Sequence, residues 1–171
     1  MLALLVMAGA TLSACSPTPE PSPTPTAAFA SEEEAFAAAE ETYRAYTEAL
    51  SDIDLADSLS LETVFGWLVD DAAAASREAF SELSAEDFTV SGATTYSNFE
   101  GTGVDLTSGQ VDAVVCLDVT DVDVRNSSGQ SIVTDDRPDH QPMQATFVPA
   151  STTTGLAISS TQQSETDTCT P

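Results

Sequence analysis

The hydrophobic period of this chain changes from helical to strand-like at about Asp87, and this change limits the folds that the chain can adopt. Before Asp87, apolar residues recur every three or four positions, and after it they alternate with polar residues. A period near 3.6 is typical of an amphipathic helix, whereas a period of two is typical of a strand with one buried face. Helices followed by strands favour an α+β domain, with the helices packed on an antiparallel sheet.

Two helical stretches are predicted before Asp87. The first covers residues 32–50 and begins at the Ser-x-x-Glu capping box of Ser31. The second covers residues 61–83, and Gly66 and the Asp70-Asp71 pair are points at which it can break.

The clearest predicted strand covers residues 110–125. Its apolar phase shifts by one residue after Thr120, which predicts a β-bulge that bends the sheet. The other predicted strands are residues 88–96, a strand beginning at Val104 and Leu106, and residues 130–133, 143–148 and 156–162, with a turn at 126–129 and a loop at 135–141.

This order of elements resembles the nuclear transport factor 2-like cone fold, the family that includes ketosteroid isomerases and polyketide cyclases. The resemblance covers residues 31–169 and depends on the element order and the bulged strand. It implies N-terminal helices packed on a curved, bulged antiparallel sheet, with a pocket between them. In the isomerases of this family, an aspartate in the pocket acts as a base.

Three residues are candidates for such a pocket. Asp118 is the candidate base, because Val114 and Cys116 share its strand face. Aspartates that alternate with apolar residues usually face solvent, so we expect Asp118 to be exposed, with an ordinary acidic pKa and no catalytic role. Tyr43 and Trp67 lie on the apolar faces of the predicted helices, and Trp67 is expected in the core.

A cluster of acidic residues in the predicted 135–141 loop could supply calcium ligands. Asp135, Asp136, Asp139 and His140 are close in sequence, but the EF-hand spacing is absent and Pro138 interrupts the run. We therefore expect a solvated loop and no metal site. The sequence contains no phosphate-binding glycine loop and no nucleophile elbow, so no cofactor is predicted.

The N-terminus carries an uncharged apolar run that ends in Leu12-Ser13-Ala14-Cys15. Residue type, order and position resemble the lipobox of bacterial lipoproteins. The run is shorter than the ~20 residues that cross a bilayer, which favours a signal peptide over a membrane span. The resemblance implies a lipoprotein signal peptide at residues 1–14 and a lipid on Cys15, at the extracytoplasmic face of the membrane. No Lys or Arg precedes the run, so we expect the natural start codon upstream of Met1.

Two further segments, residues 116–133 and 137–148, resemble lipoproteins of actinobacteria. This resemblance implies the same layout and a surface location. Residues 15–30 contain the lipidated cysteine and a Pro/Thr/Ser-rich stretch that stays extended, which predicts a tether. The remaining residues, 31–171, are predicted to form a single α+β domain.

The charge of the chain excludes several partners. It contains 28 acidic residues, four arginines and no lysine, which gives a formal net charge of -24. Such a surface repels nucleic-acid backbones and anionic lipid headgroups, so no nucleic-acid binding is expected.

With Cys15 lipidated, Cys116 and Cys169 are the remaining cysteines. An even pair in an exported domain most often forms a disulfide, so we predict a Cys116–Cys169 bridge. A zinc site or a redox pair is less favoured, because neither the zinc spacing nor a C-x-x-C motif is present.

Three function classes remain. The chain is predicted to be a non-catalytic envelope module that binds another envelope protein or presents a surface. The alternatives are a small-molecule binder that uses the cone pocket, and a pocket enzyme similar to ketosteroid isomerases. A buried carboxylate in an apolar cavity would favour the enzyme.

Overall fold

The computed structural model describes residues 28–166 and Cys169 of the protein. The predicted signal peptide, the lipobox and most of the tether lie outside the described residues. The helices are α1 (Glu32–Ser51), α2 (Ser58–Phe65) and α3 (Asp70–Ala85). The strands are β1 (Thr89–Ser91), β2 (Thr95–Asp105), β3 (Gln110–Asp118), β4 (Asp123–Arg125), β5 (His140–Pro149) and β6 (Leu156–Gln163).

Helix α1 begins where the capping box predicts. The Ser31 hydroxyl accepts a hydrogen bond from the Glu34 backbone N–H at 3.2 Å, and the Glu34 carboxylate accepts one from the Ala30 N–H at 2.8 Å. These two bonds satisfy backbone donors that have no partner within the helix. The first predicted helix is therefore confirmed.

The second predicted helical stretch is two helices, and α2 begins earlier than predicted, at Ser58. The break lies after Gly66, where the chain pairs with β6. The Val69 N–H donates to the Ile158 carbonyl at 2.9 Å, and the Ile158 N–H donates to the Trp67 carbonyl at 2.9 Å. These bonds take the backbone out of the helix and place the α2–α3 connection along the edge of the sheet.

Four strands form one antiparallel sheet in the order β2-β3-β5-β6, and β1 pairs with β4 in a second, two-stranded sheet. The long strand predicted around Asp118 is wrong as a single element, because β3 and β4 belong to different sheets. Asp118 accepts hydrogen bonds from the backbone and hydroxyl of Thr120, at 2.9 and 2.6 Å. Arg137 donates to the carbonyls of Val119 and Val122, at 2.7 and 2.9 Å. The phase change at Thr120 therefore marks a turn between sheets and not a bulge.

Register shifts occur elsewhere in the main sheet. The pairing of β2 with β3 shifts between Ser97 and Glu100 and again between Gly101 and Gly103, and the pairing of β5 with β6 also shifts once. Strand β2 is continuous where two strands were predicted. At Gly101, a Cβ atom would lie 2.2 Å from Cδ1 of Phe36, so this glycine lets α1 pack directly against β2.

The last two predicted strands are confirmed as β5 and β6, although β5 begins at His140, inside the predicted loop. The predicted strand at residues 130–133 forms only a bridge between Arg125 and Ser131.

The main sheet has two faces, because successive side chains of a strand point to opposite sides. The inner face, toward the helices, carries fully buried residues of β3, β5 and β6: Val111, Ala113, Val115, Ala145, Phe147 and Ile158. The outer face, away from the helices, carries the alternate residues of β3: Asp112, Val114, Cys116 and Asp118. The predicted α+β class, with N-terminal helices on a bulged antiparallel sheet, is confirmed.

Candidate functional site

An aromatic cluster lies between α1 and the inner face, where the resemblance to cone folds predicts a pocket. Tyr43, on α1, is at its centre and is 2% exposed. Its ring centroid lies 5.2 Å from Tyr96, 6.2 Å from Phe99, 6.5 Å from Phe147 and 6.0 Å from Tyr46. Edge-to-face and tilted aromatic pairs at such distances stabilise a core. Tyr43 therefore packs against other rings in the space where the resemblance predicts a pocket.

Burial raises the pKa of two of these tyrosines and so further favours their neutral forms. It raises the pKa of Tyr46 to about 12 and raises the pKa of Tyr43 further above its usual range. Both hydroxyls are neutral at physiological pH. Neither supplies an anionic base inside the cone.

Asp118 lies on the outer face, at the end of β3. Its side chain is 34% exposed, and one carboxylate oxygen is 3.6 Å from Nε2 of His140. Hydrogen bonds from Thr120, and to a smaller extent the charge of His140, hold the pKa of Asp118 below its usual range. The sequence predicts an exposed Asp118 with an ordinary pKa. In the structure, the carboxylate is partly shielded and its pKa is lowered. A carboxylate of this kind stays ionised at neutral pH and is a weak base.

Trp67 lies in the connection between α2 and α3, not on a helix face. It is half-buried and lies outside the group of buried core residues. The expectation that it is a core residue is wrong, because the break after Gly66 moves Trp67 to the edge of β6. The structure therefore does not bring the three candidate pocket residues together: Tyr43 is on the inner face, Asp118 is on the outer face and Trp67 is at the sheet edge.

The predicted disulfide is confirmed. Cys116 and Cys169 are bonded, with their Cα atoms 4.9 Å apart. Cys116 is on the outer face and is 1% exposed. The bond joins the C-terminal segment of the chain to the middle of the main sheet.

The acidic residues before β5 do not converge. Asp136 accepts a hydrogen bond from Thr134, which lowers its pKa, and His140 faces Asp118. Arg137 holds the β3–β4 turn through backbone carbonyls. Among residues 28–166 and Cys169, no group of three or more His, Cys, Asp or Glu side chains could hold a metal ion.

A polar cleft of about 570 Å³ lies on the outer face, and nothing in the sequence analysis predicted it. We call it the outer cleft. It is lined by Thr102 of β2, Gln144 of β5, Gln162 and Gln163 of β6, and Ser164, Glu165 and Thr166 of the C-terminal segment, above Val114 of β3. The register pairs Gln144 of β5 with Gln162 of β6, the next strand along the chain. The predicted disulfide was the one signal that could have placed the C-terminal segment here.

Further grooves lie on the helical side of the described residues. One, of about 340 Å³, is between α1 and β2, beside Arg44 and Tyr96. Another, of about 400 Å³, is between α2 and α3, where the Arg77 guanidinium lies 4.0 Å from the centroid of the Phe65 ring. Arg44 forms hydrogen-bonded ion pairs with Glu41 and Glu48 of the same helix, so its positive charge is already neutralised.

Within the described part of the chain, no helix has both the length and the apolar character to cross a membrane.

No protein-family model matches the chain, and no curated protein matches it. Among solved structures, the chain is similar to a candidate aromatic ring hydroxylase from Novosphingobium aromaticivorans DSM. The TM-score is 0.53 at 14% identity, over 77% of this chain and 88% of that one. A candidate polyketide cyclase from Xanthomonas campestris pv. campestris matches at a TM-score of 0.36 and 14% identity, over 75% and 90% of the two chains. The second score is too low to support an argument.

The similarity to the first structure shows the fold. The chain shares the fold of that structure, three helices packed on an antiparallel sheet, which agrees with the cone-like layout that the order of its elements predicts. This fold hosts many unrelated activities, so it does not by itself assign one.

Proposed function

We propose that this chain is a membrane-anchored extracytoplasmic lipoprotein whose cone domain is a non-catalytic binding or interaction module. The observation that carries the proposal is the aromatic cluster. Tyr43, Tyr96, Phe99 and Phe147 contact one another across the space between α1 and the inner face. Because these rings occupy the space between α1 and the sheet and stabilise the core, we infer that the domain binds its partner through its surface.

The position of Asp118 also supports a non-catalytic role. A general base needs a pKa near the working pH and a place next to the substrate. Asp118 is on the side of the sheet away from the helices, and hydrogen bonds from Thr120 lower its pKa. Both properties are opposite to those of a desolvated pocket carboxylate.

The export part of the proposal is supported by two independent features. The Leu12-Ser13-Ala14-Cys15 segment has the lipobox pattern. The Cys116–Cys169 disulfide suits an oxidising compartment, because disulfides are rare in the reducing cytosol. One feature concerns the N-terminus and the other the folded domain, so they do not depend on each other.

The anchor is tested by Cys15→Ser in the full chain. We expect this variant to leave the membrane fraction and to lose labelling by a palmitate probe, because the thiol is the attachment point of the lipid. Ser13→Ala is the matched control, since it keeps a small residue in the lipobox and the cysteine unchanged. Membrane fractionation of Cys15→Ser identical to that of the control would contradict the anchor.

The filled interior is tested with a small apolar ligand. We expect no saturable binding of benzene to the native chain, measured by NMR, because the rings occupy the interior. Phe147→Ala is the positive control, since it removes a fully buried ring and leaves a dry cavity of the kind that binds benzene. If that variant does not fold, Phe147→Leu replaces it. Stoichiometric binding by the native chain would favour a cone pocket instead.

The interaction role is tested by cross-linking intact cells and identifying partners by mass spectrometry. The control carries residues 1–30 fused to an unrelated domain, so that it has the same anchor and tether. We expect specific envelope proteins to be enriched with the native chain over this control. Equal recovery with both would show that the cone domain contributes no interaction.

A further inference from the structure

The outer cleft is a formed site on the face of the sheet that the aromatic cluster does not use. Its volume of about 570 Å³ lies within the range of about 300–1000 Å³ that is typical of small-molecule sites. Strand β3 lies beneath the cleft at Val114, residues of β2, β5 and β6 line it, and the C-terminal segment forms one wall. The cleft is separated from the cone interior by the main sheet.

The wall made by the C-terminal segment is held at both ends. The Ser164 N–H donates to the Pro142 carbonyl at 2.8 Å, directly after β6. Cys169 is bonded to Cys116, which is buried on the outer face. Thr166, between these two points, donates its N–H to the Ser164 hydroxyl at 3.1 Å. Attachment of the segment at Ser164 and at Cys169 lowers the entropy cost of binding a ligand against it.

The lining of the outer cleft is mostly polar and neutral. In a chain of net charge -24, six of the seven polar lining side chains are neutral, and Glu165 is the exception. The neutral ones are Thr102, Gln144, Gln162, Gln163, Ser164 and Thr166. The Gln162 side-chain amide donates one hydrogen bond, from Nε2, to the side-chain oxygen Oε1 of Gln144 at 3.3 Å. Each amide carries two N–H donors and an acceptor oxygen with two lone pairs, so this pair keeps donors and acceptors for a ligand.

We propose that the outer cleft binds a neutral carbohydrate. Sugar hydroxyl groups both donate and accept hydrogen bonds, as do the glutamine amides and threonine hydroxyls of the cleft. An anionic ligand is disfavoured by the charge of the whole chain. This inference goes beyond the proposed interaction module, since neither the lipid anchor nor a protein partner is needed for it.

The test uses the full-length chain in lauryldimethylamine oxide, a detergent that contains no sugar. Saturation-transfer NMR and calorimetry are recorded with N,N′-diacetylchitobiose, maltotriose and mannobiose, and with trigalacturonate as an anionic counterpart. We expect saturable binding of at least one neutral sugar, and weaker binding of trigalacturonate. No saturable binding of any neutral sugar, or stronger binding of trigalacturonate, would overturn the proposal.

Variants locate the site. Gln144→Leu and Gln162→Leu keep the size of the side chain and remove its hydrogen-bonding groups, so each is expected to weaken binding by about tenfold. Gln110→Leu is the matched control, because Gln110 lies on the same face of the sheet but outside the cleft. Equal losses in the control and the cleft variants would overturn the assignment of the site.

Removal of the disulfide by mutation tests the role of the C-terminal wall. We expect the Cys116→Ser, Cys169→Ser double variant to bind the sugar several-fold more weakly, because the wall is no longer held against the sheet. Unchanged affinity would overturn the part of the proposal that includes Glu165 and Thr166 in the site.

Binding of an extended Thr/Val peptide at the same residues, without sugar binding, would show a peptide site instead. Failure of the sugar test leaves the Cys15→Ser fractionation result unaffected, so the two proposals can fail separately.

Discussion

At the scale of single residues, environment and not residue type decides what Asp118 and Tyr43 can do. Asp118 receives two hydrogen bonds from Thr120, and these favour its charged form. Tyr43 is enclosed by other rings, and burial favours its neutral form. The two residues that a pocket enzyme would use are thus stabilised in forms that do not exchange protons near neutral pH.

Asp118 gives a prediction on pH dependence. Its folded-state pKa is below the value of about 3.9 in an unfolded chain. Its contribution to the free energy of unfolding is therefore complete above about pH 4 and is lost as the pH falls through the lower folded-state pKa. NMR titration of the carboxyl carbon should give a midpoint below the unfolded value. A midpoint above about 6 would indicate a desolvated carboxylate and would favour an enzyme.

Replacement of the same residue should have a small effect on stability. Asp118→Asn is expected to lower the free energy of unfolding by less than about 1 kcal/mol at pH 7, because the site is partly solvated and the amide oxygen can still accept from Thr120. Denaturant unfolding measures this change. Asp112→Asn, on the same strand face, is the control, since Asp112 also accepts a hydrogen bond from a threonine hydroxyl, that of Thr146.

At the scale of elements, the contact between α1 and β2 depends on a missing side chain. Phe36 of α1 lies against the backbone of Gly101, and a Cβ atom there would be 2.2 Å from the Phe36 ring. The register of β2 against β3 shifts on both sides of this position. The close approach at Gly101 and the register shifts together let β2 pack along α1.

Gly101→Ala is expected to destabilise the protein by about 1–3 kcal/mol, because the added methyl group overlaps the Phe36 ring and forces the helix or the strand to move. Gly103→Ala is the matched control on the same strand, since the nearest atom to its Cβ would be an Asp112 carboxylate oxygen at 3.9 Å. Thermal or denaturant unfolding of both variants measures the difference.

A double-mutant cycle identifies the cause. The cost of Gly101→Ala should fall when Phe36 is first replaced by Ala, because the overlapping ring is then absent. Equal costs in the two backgrounds would show that the loss comes from the glycine backbone and not from the contact with α1.

At the scale of the whole molecule, the dominant feature is the excess of negative charge. Three of the four arginines, Arg44, Arg77 and Arg125, form ion pairs with nearby carboxylates, and Arg137 donates to backbone carbonyls. The remaining carboxylates repel one another. The folded state therefore carries an electrostatic cost that salt can reduce.

We expect the melting temperature at pH 7 to rise by several degrees as sodium chloride increases from about 0.01 M to about 1 M, because screening shortens the range of the repulsion. The same titration near the pI of about 4.1 is the control, since the net charge is then close to zero. A melting temperature at pH 7 that is independent of salt, or that falls with it, would contradict this prediction.

The sequence alone determined those features that depend on local chemistry or on composition. Capping at Ser31 placed the first helix, because the donor and acceptor groups are within one turn of each other. The change of hydrophobic period predicted the α+β class, and the two cysteines of the domain predicted the Cys116–Cys169 bond. The alternation of Asp118 with apolar residues correctly placed it on the side of the strand away from the helices.

Only the tertiary structure decided the features that depend on contacts between distant segments. Pairing of Val69 and Trp67 with Ile158 moved Trp67 out of the core, and no local pattern encodes this bond. The phase change at Thr120 predicts a bulge where the structure has a turn, because a phase change looks the same in sequence whether a strand bends or the chain leaves for another sheet. The outer cleft brings Thr102, Gln144 and Thr166 together from three segments, and a one-dimensional pattern contains no information on such distances.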